Sequence, residues 1–342
     1  MSVKLRILAL VHEHLIPPET LPEGTDTVEA EWRTEYDVVS TLRALGHEVR
    51  PLGVHDDLGD IRRMVQDWKP HIAFNLLEAF DDVTIFDQNV VSHLELLKLS
   101  YTGCNPRGLL LARDKSLSKK LLSYHRIPVP ECEVFRIGRR VRRPKRLAFP
   151  LIVKSLTQEA SIGISQASVV ETDDKLRERV SFIHESIGTA AIVEQYIDGR
   201  ELYVGVLGNQ VLQALPVWEL FFTNMPPEAK RIATDRVKWS VKYQKKYEIE
   251  SGPAKELPAD LAEQIQHLCK RTYRALEISG YARIDLRLDG QGRPWVIEAN
   301  PNPQIARGED FAASAESAGI SYESLIQRIV NLGVRWQPES LA

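Results

Sequence analysis

The segment 281–303, YARIDLRLDGQGRPWVIEANPNP, carries carboxylates and an amide at a spacing that suits a hard divalent cation. Ala282, Ile284, Leu286 and Leu288 alternate with Arg283, Asp285, Arg287 and Asp289, the period-2 pattern of a half-buried strand. Gly290-Gln291-Gly292 reads as a turn, after which Trp295, Ile297 and Ala299 continue the apolar face and Val296, Glu298 and Asn300 take the other. If Asp289 pairs with Pro294, Asp285 stands directly opposite Glu298, with β-carbons roughly 5 Å apart. Like charges so placed repel, and a sheet tolerates them most readily with a cation between them. Asp285, Glu298 and an oxygen of Asn300 would then form an all-oxygen set for Mg²⁺ or Mn²⁺. The plainer alternative is a solvated polar face paired with Arg283 and Arg287.

Mg²⁺ held by three protein ligands normally shares its shell with substrate phosphates, so cationic and N–H donors are expected elsewhere in the chain. Lys154 ends the apolar run PLIVK and is followed by SLTQEASIGIS, a loop of small residues whose Ser161 and Gly163 can turn backbone N–H groups toward an anion. Lys115 opens a helix, where a cation is disfavoured unless an anion binds beside it. Taken singly, a lysine is usually surface decoration, and SIG is no Walker motif.

These groups sit on elements of three kinds. From residue 4 to about 104, strand and helix patterns alternate. KLRILALV is a buried strand, Val38, Val39, Leu42 and Leu45 form one helix face closed by Gly46, strands follow at 47–51 and 71–76, and a helix spans 87–97. This predicts a βαβ series with a parallel sheet over residues 1–105. Residues 106–198 read as a small α+β unit, with a helix near 115–125, strands at 149–156 and 190–196, and a helix over 174–187. Its run of basic residues from Arg139 to Arg146 lacks interleaved aromatics and reads as a solvated loop rather than a nucleic-acid patch. Residues 199–342 open with strands 201–207 and 210–215 around Gly208-Asn209 and continue to a helix over 258–278 that leads into the carboxylate hairpin. Between them, 223–257 is polar, rich in Lys and Tyr and without a long apolar period, the composition of a lid or a disordered stretch.

A chain of 342 residues exceeds one ordinary core. Its net charge of −3 argues against a dedicated nucleic-acid binder. Three scattered cysteines offer neither a disulfide framework nor a zinc site and suit a reducing cytoplasm. The apolar run 7–11 is too short for a signal peptide, and no run approaches the roughly 18 residues of a membrane span.

Five ordered segments resemble the ATP-grasp superfamily, and in particular the D-alanine:D-alanine ligase family: LELLKLSYTG (94–103), ARDKSLSKKLL (112–122), FPLIVKSLTQEASIGIS (149–165), IVEQYIDGRELYVGVLG (192–208) and the hairpin 281–303. The resemblance implies an α/β (α+β), three-domain ATP-grasp architecture with an N-terminal parallel-sheet βαβ domain. It implies Lys115 and Lys154 on the ATP phosphates, a flap at Ser161–Gly163, Glu194 and the backbone near Ile197 at the adenine, and Glu201 at the ribose. Asp285, Glu298 and Asn300 become ligands of Mg²⁺ or Mn²⁺, and Arg283 stabilises charge on the transferred phosphoryl group and the tetrahedral intermediate. Lys238 and the pair Lys242 and Tyr243 both resemble the family's lid motif. Glu35 falls where the family holds the first substrate's amino group. The implied reaction joins a carboxylate to an amine through an acyl phosphate, with small amino-acid-like or amine substrates. The implied protein is cytoplasmic, acts without nucleic acid or membrane, and admits a homodimer.

The departures fall in substrate-recognition segments. VHEHLIPPET replaces the family's glycine-rich loop, FNLLEAFDD the motif with its loop histidine, Ala160 a serine, and QIARGEDFA the serine-bearing segment after NPNP. Together these departures imply a substrate pair other than two D-alanines. Glu309 and Asp310 would repel an acceptor carboxylate, which favours an acceptor with a basic group or without a free carboxylate there; the plainer alternative is that they only cap the helix beginning near Phe311. Two other readings stay open: an ATP-binding protein without catalysis, and an ester-forming or kinase-like relative.

Overall fold

The computed structural model describes residues 4–21, 30–158 and 161–338. Three sheets organise them. The first is parallel, with β1 (Arg6–His12), β2 (Glu48–Val54), β3 (Ile72–Asn75) and β4 (Ser100–Tyr101) in the order β2-β1-β3-β4. Ile7 to Val11 are all fully buried, as a strand covered on both faces requires. Alternation divides them. Leu8 and Leu10 join Ile61, Val90, Val91 and Leu94 on one side. Ile7 and Ala9 join Val38, Val39 and Leu42, together with Leu325, Ile326, Ile329 and Val330 of the chain's last described helix, Tyr322–Arg335. The chain end thus returns to cover its beginning. Gly333 permits the approach, because a β-carbon there would lie 2.4 Å from the carbonyl oxygen of Tyr101.

The second sheet is antiparallel, with β5 (Cys132–Phe135), β6 (Leu151–Ser155), β7 (Val169–Val170) and β8 (Ala191–Gln195) in the order β5-β8-β6-β7. The third has six strands: β9 (Gly199–Leu207), β10 (Gln213–Ala214), β11 (Trp218–Phe222), β12 (Ile249–Pro253), β13 (Tyr281–Asp289) and β14 (Pro294–Pro301). Its order is β12-β11-β9-β13-β14, with β10 beside β9. One hydrophobic cluster runs from Leu8 and Val91 of the first unit through Leu109 and Leu122 to Leu202, Ile284 and Val296 of this sheet.

Several elements differ from the sequence reading. The expected strand 210–215 shrinks to Gln213–Ala214, because 208–212 form the loop of the hairpin and leave Val211 exposed. Helix Gly59–Trp68 is a crossover the reading missed, its apolar residues diluted by charge. The stretch 223–257 is not irregular. It holds helices Asp235–Trp239 and Val241–Tyr247 and then β12, which pairs with β11. Helices of 5 and 7 residues are too short to show an apolar period. Among the described residues, no helix is long and apolar enough to cross a membrane.

Candidate active site

The hairpin β13–β14 sets Asp285 opposite Glu298. The sequence reading reached that pair from a different premise, since Leu288, not Asp289, pairs with Pro294. The two agree because a bulge intervenes. Leu286 pairs with Val296 and Asp285 with Glu298, so Ile297 has no partner on β13. The extra residue reverses the alternation on the turn side. Val296 is buried in the core rather than polar-facing, and Ile297, expected on the core face, lines the cavity. Two bonds hold the bulge open: Val296 N–H donates to the Pro128 carbonyl (2.8 Å), and Lys119 Nζ donates to the Ile297 carbonyl (3.0 Å).

A cavity lies between the second and third sheets. Asp285 and Glu298 line it from β13 and β14, Lys154 and Glu194 from β6 and β8. Lys115 enters from the first position of helix Lys115–Tyr124, whose cap is the Asp114 side chain, and donates to the Gln158 carbonyl (3.0 Å). Lys238 enters from helix Asp235–Trp239, and Ser161, Ile197 and Glu201 complete the expected residues on its wall.

Charge in this cavity is dense and unevenly distributed. Burial disfavours an ionised Glu298, but Lys115, Lys238, Lys154 and Arg283 outweigh it and hold the carboxyl well below the usual glutamate range. Asp285 moves the other way. Burial raises it, the Arg283 guanidinium opposes, and the neighbouring Glu298 adds to the rise. Arg283 grips Asp285 with two bonds, Nε to Oδ1 (2.7 Å) and Nη2 to Oδ2 (2.9 Å), and lies over the Tyr203 ring. Glu194 is 1% exposed, its two oxygens paired with Lys119 (3.3 Å) and Lys154 (3.1 Å). Burial would raise this carboxyl too, yet the two ammonium groups bring it below its ordinary value. Glu201 accepts from Arg287 (2.9 Å) and from the Tyr203 hydroxyl (2.9 Å).

Lys119 and Arg287 were missed by the sequence reading. Both had a signal: Lys119 stands four residues after Lys115 on the same helix face, and Arg287 two after Asp285 on the same strand face.

The small-residue loop is latched to the segment before Lys238. Ser161, at φ 63°, donates from Oγ to the Ala233 carbonyl (2.7 Å), Asp235 N–H donates to Ile164, and Gln166 and Lys230 exchange two bonds (2.8 and 2.9 Å). Gly163, at φ 74°, accepts from Arg179 at its carbonyl. Ala160, the position of the replaced serine, lies outside the described residues.

Other expected residues lie away from the cavity wall. Lys242 and Tyr243 belong to the next helix, where Tyr243 packs against Met225, Val237 and Ile249. Asn300 pairs with Arg283 across the hairpin, and its Nδ2 is buried without a hydrogen-bond partner. Glu35 is buried in helix Arg33–Ala44 with Oε2 lacking a partner. Burial, helped by Glu78 and opposed by its own backbone N–H, lifts its carboxyl to about 7. Glu309 is the N-cap residue of helix Asp310–Ser317, yet makes no side-chain cap bond and pairs instead with Arg33 (3.2 Å). Asp310 accepts from the Ser251 hydroxyl (2.5 Å).

A family model described as "D-ala D-ala ligase C-terminus" matches residues 121–331. The chain is 31% identical over 309 residues to the D-alanine–D-alanine ligase of Desulforudis audaxviator, covering 89% of this chain and 94% of that one. It is also similar, at 30% identity over 326 residues, to an uncharacterised protein, y4sG, of Sinorhizobium fredii, covering 93% of this chain and 90% of that one. In fold, it matches the crystal structure of D-alanine–D-alanine ligase from Bacillus anthracis complexed with ATP with a TM-score of 0.72 at 22% identity, over 97% of this chain and 98% of that one. The α/β architecture, the parallel first sheet and these matches together place the chain in the D-alanine–D-alanine ligase family of ATP-grasp enzymes.

Proposed function

We propose that this chain is an ATP-dependent carboxylate:amine ligase that activates its donor as an acyl phosphate and joins it to an amine, with a substrate pair other than two D-alanines. The observation that carries this reading is the convergence of Lys115, Lys154 and Lys238 with Asp285 and Glu298 on one cavity. Three ammonium groups, one of them shared with Glu194, meet the Asp285 and Glu298 carboxylates here, a set that suits a polyphosphate and its counter-ion.

Lys115 and Lys154 hold phosphate oxygens, the loop at Ser161 and Gly163 covers them, Glu194 and the Ile197 backbone receive the adenine, and Glu201 the ribose. Asp285, Glu298 and Asn300 would hold Mg²⁺ or Mn²⁺, which supplies neutralisation of phosphate charge. The donor set fits. Each Asp285 oxygen gives one lone pair to the Arg283 fork and keeps another, and Asn300 Nδ2 is buried without a hydrogen-bond partner, so no bond of that nitrogen holds the amide against turning. Arg283 neutralises charge developing on the transferred phosphoryl group and then on the tetrahedral adduct. Lys238, which lines the cavity, is the lid lysine of this reading rather than Lys242 with Tyr243. Three units divide the work: 1–105 on the substrate side, 106–198 with the flap, and 199–342 with the metal ligands and lid.

On the substrate side, Glu35 meets the donor's amino group, and Glu309 and Asp310 face the acceptor. Arg33 compensates Glu309, whereas the charge of Asp310 acts on Arg283 and Tyr203. An acceptor with a basic group, or without a free carboxylate, is therefore favoured near Asp310. Transfer of ¹⁸O from a labelled donor carboxylate into inorganic phosphate tests the acyl phosphate. Phosphate released without label in the presence of both substrates contradicts it.

A further inference from the structure

We propose that His12, His55 and Asp82 form a separate site for a divalent transition ion of the zinc class at the C-terminal edge of the first sheet. His12 ends β1 and His55 directly follows β2, the strands lying side by side with His12 paired to Val54. Asp82 arrives from the turn at Phe80–Val83, which is pinned to the sheet edge by Asp81 N–H donating to the His55 carbonyl (2.9 Å). Asp81 and Asp82 both adopt left-handed backbone, φ 53° and 56°, a conformation that non-glycine residues rarely keep in succession without a reason. Such strain is what aims the carboxylate at the two imidazoles.

The ligand atoms are already near coordination spacing. Asp82 Oδ1 lies 3.7 Å from His12 Nε2 and Asp82 Oδ2 lies 3.4 Å from His55 Nε2, and one donor atom from each of the three residues falls within 4.8 Å of the other two. Tetrahedral bonds of about 2.0–2.1 Å separate neighbouring ligand atoms by about 3.3–3.4 Å, so a small contraction completes the site. A second observation concerns orientation. Glu13 Oε1 lies 3.5 Å from His55 Nδ1, so one ring nitrogen faces a carboxylate and the other faces Asp82. That is the arrangement by which a carboxylate fixes the tautomer of a metal-binding histidine and frees Nε2 as the donor. His12 sacrifices only a weak contact, 3.4 Å from the His14 N–H to its Nδ1.

Two imidazoles and one carboxylate select zinc over Mg²⁺ and leave a fourth position open, which distinguishes this site from the oxygen set on the hairpin. The site also lies where open α/β sheets present ligands, outside the carboxyl ends of their strands. The bland alternative is a pair of exposed ion pairs, His12 and His55 with Asp82, that attract no metal.

The experiment is titration of the metal-stripped full chain with Zn²⁺ by calorimetry, and with Co²⁺ by visible absorption, in saturating Mg²⁺. The wild type should take up one equivalent more than a His12→Ala/His55→Ala variant. Asp82→Asn, on an exposed side chain remote from the core, should weaken that equivalent at least tenfold, and Glu13→Gln by about tenfold with stoichiometry kept. Equal stoichiometry and affinity in the wild type and Asp82→Asn overturns the site, even if the double-alanine variant fails to fold.

Discussion

Glu298 and Asp285 face each other in unlike states, one carboxyl lowered by four cations and the other raised by burial. Their replacements should therefore differ. Glu298→Gln should abolish turnover and also lower stability at neutral pH, because a carboxyl held below its ordinary range by four cations stabilises the folded state when ionised. Asp285→Asn should abolish turnover at a smaller cost in stability, because burial and Glu298 already offset the Arg283 fork. Turnover assays beside denaturant melts at neutral pH separate them, and a Glu298→Gln variant as stable as the wild type would mean that the four cations do nothing for the fold through Glu298. Lys154→Ala should weaken ATP binding by about 1.5–3 kcal/mol, the magnitude of one charge-assisted contact, measurable by nucleotide titration. Glu35 gives a pH signature. Its carboxyl rises from 4.5 to about 7 on folding, so the native state binds the extra proton and stability falls as pH rises through that window. Glu35→Gln should remove this loss, stabilising the ligand-free protein by about 3 kcal/mol at pH 8 and negligibly at pH 4. An unchanged difference across that range would mean that Glu35 is solvated. At this scale the sequence was most legible where period-2 alternation operates, as at Asp285 and Arg283. Lys119 escaped because a lysine inside an apolar helix pattern looks like surface until Glu194 is seen buried beside it.

At the scale of elements, the loop after β6 and the stretch after β11 are bonded to each other. Ser161, Ile164 and Gln166 are bonded to 230–235, the segment that leads directly into the Lys238 helix. Flap and lid should therefore close as one body, driven by anions that meet Lys115, Lys154 and Lys238 together. Limited proteolysis within 223–257 should slow when ATP and both substrates are bound, and Gln166→Ala should uncouple flap from lid and reduce that protection. Equal cleavage with and without ligands contradicts gating. Strand and helix order could be read from apolar periods wherever elements were long enough, as with β1, β6 and helix Ala259–Ala275. The bulge at Ile297 could not, because it is set by the Pro128 carbonyl and Lys119, residues distant in sequence. The short helices and β12 were hidden for a related reason: β12 is an edge strand whose pattern depends on its pairing with β11.

Across the whole molecule, the helix Tyr322–Arg335 packs on the first sheet, and Asn302, just past the hairpin, accepts from Cys104 N–H (2.8 Å). Gly103 makes room for that contact, since at φ 90° a β-carbon would meet the Asn302 oxygen at 2.4 Å. The hairpin and the end of the first unit are thus pinned to each other. The ordered motifs made the family legible in sequence, whereas the substrate pair stays hidden because its recognition segments are those that depart, 11–20, 74–82 and 304–312. Asp310→Asn should lower kcat/KM for a basic acceptor more than for a neutral one, and equal losses would reduce Asp310 to a helix-start charge. The central claim, a family ligase with altered substrates, is tested most directly by ATP-dependent phosphate release over a panel of amino acids, dipeptides and small amines, with each product weighed by mass spectrometry. The account predicts phosphate released in step with an amide-linked product other than D-alanyl-D-alanine. Efficient formation of D-alanyl-D-alanine, or phosphate release with no coupled product for any pair, would contradict it.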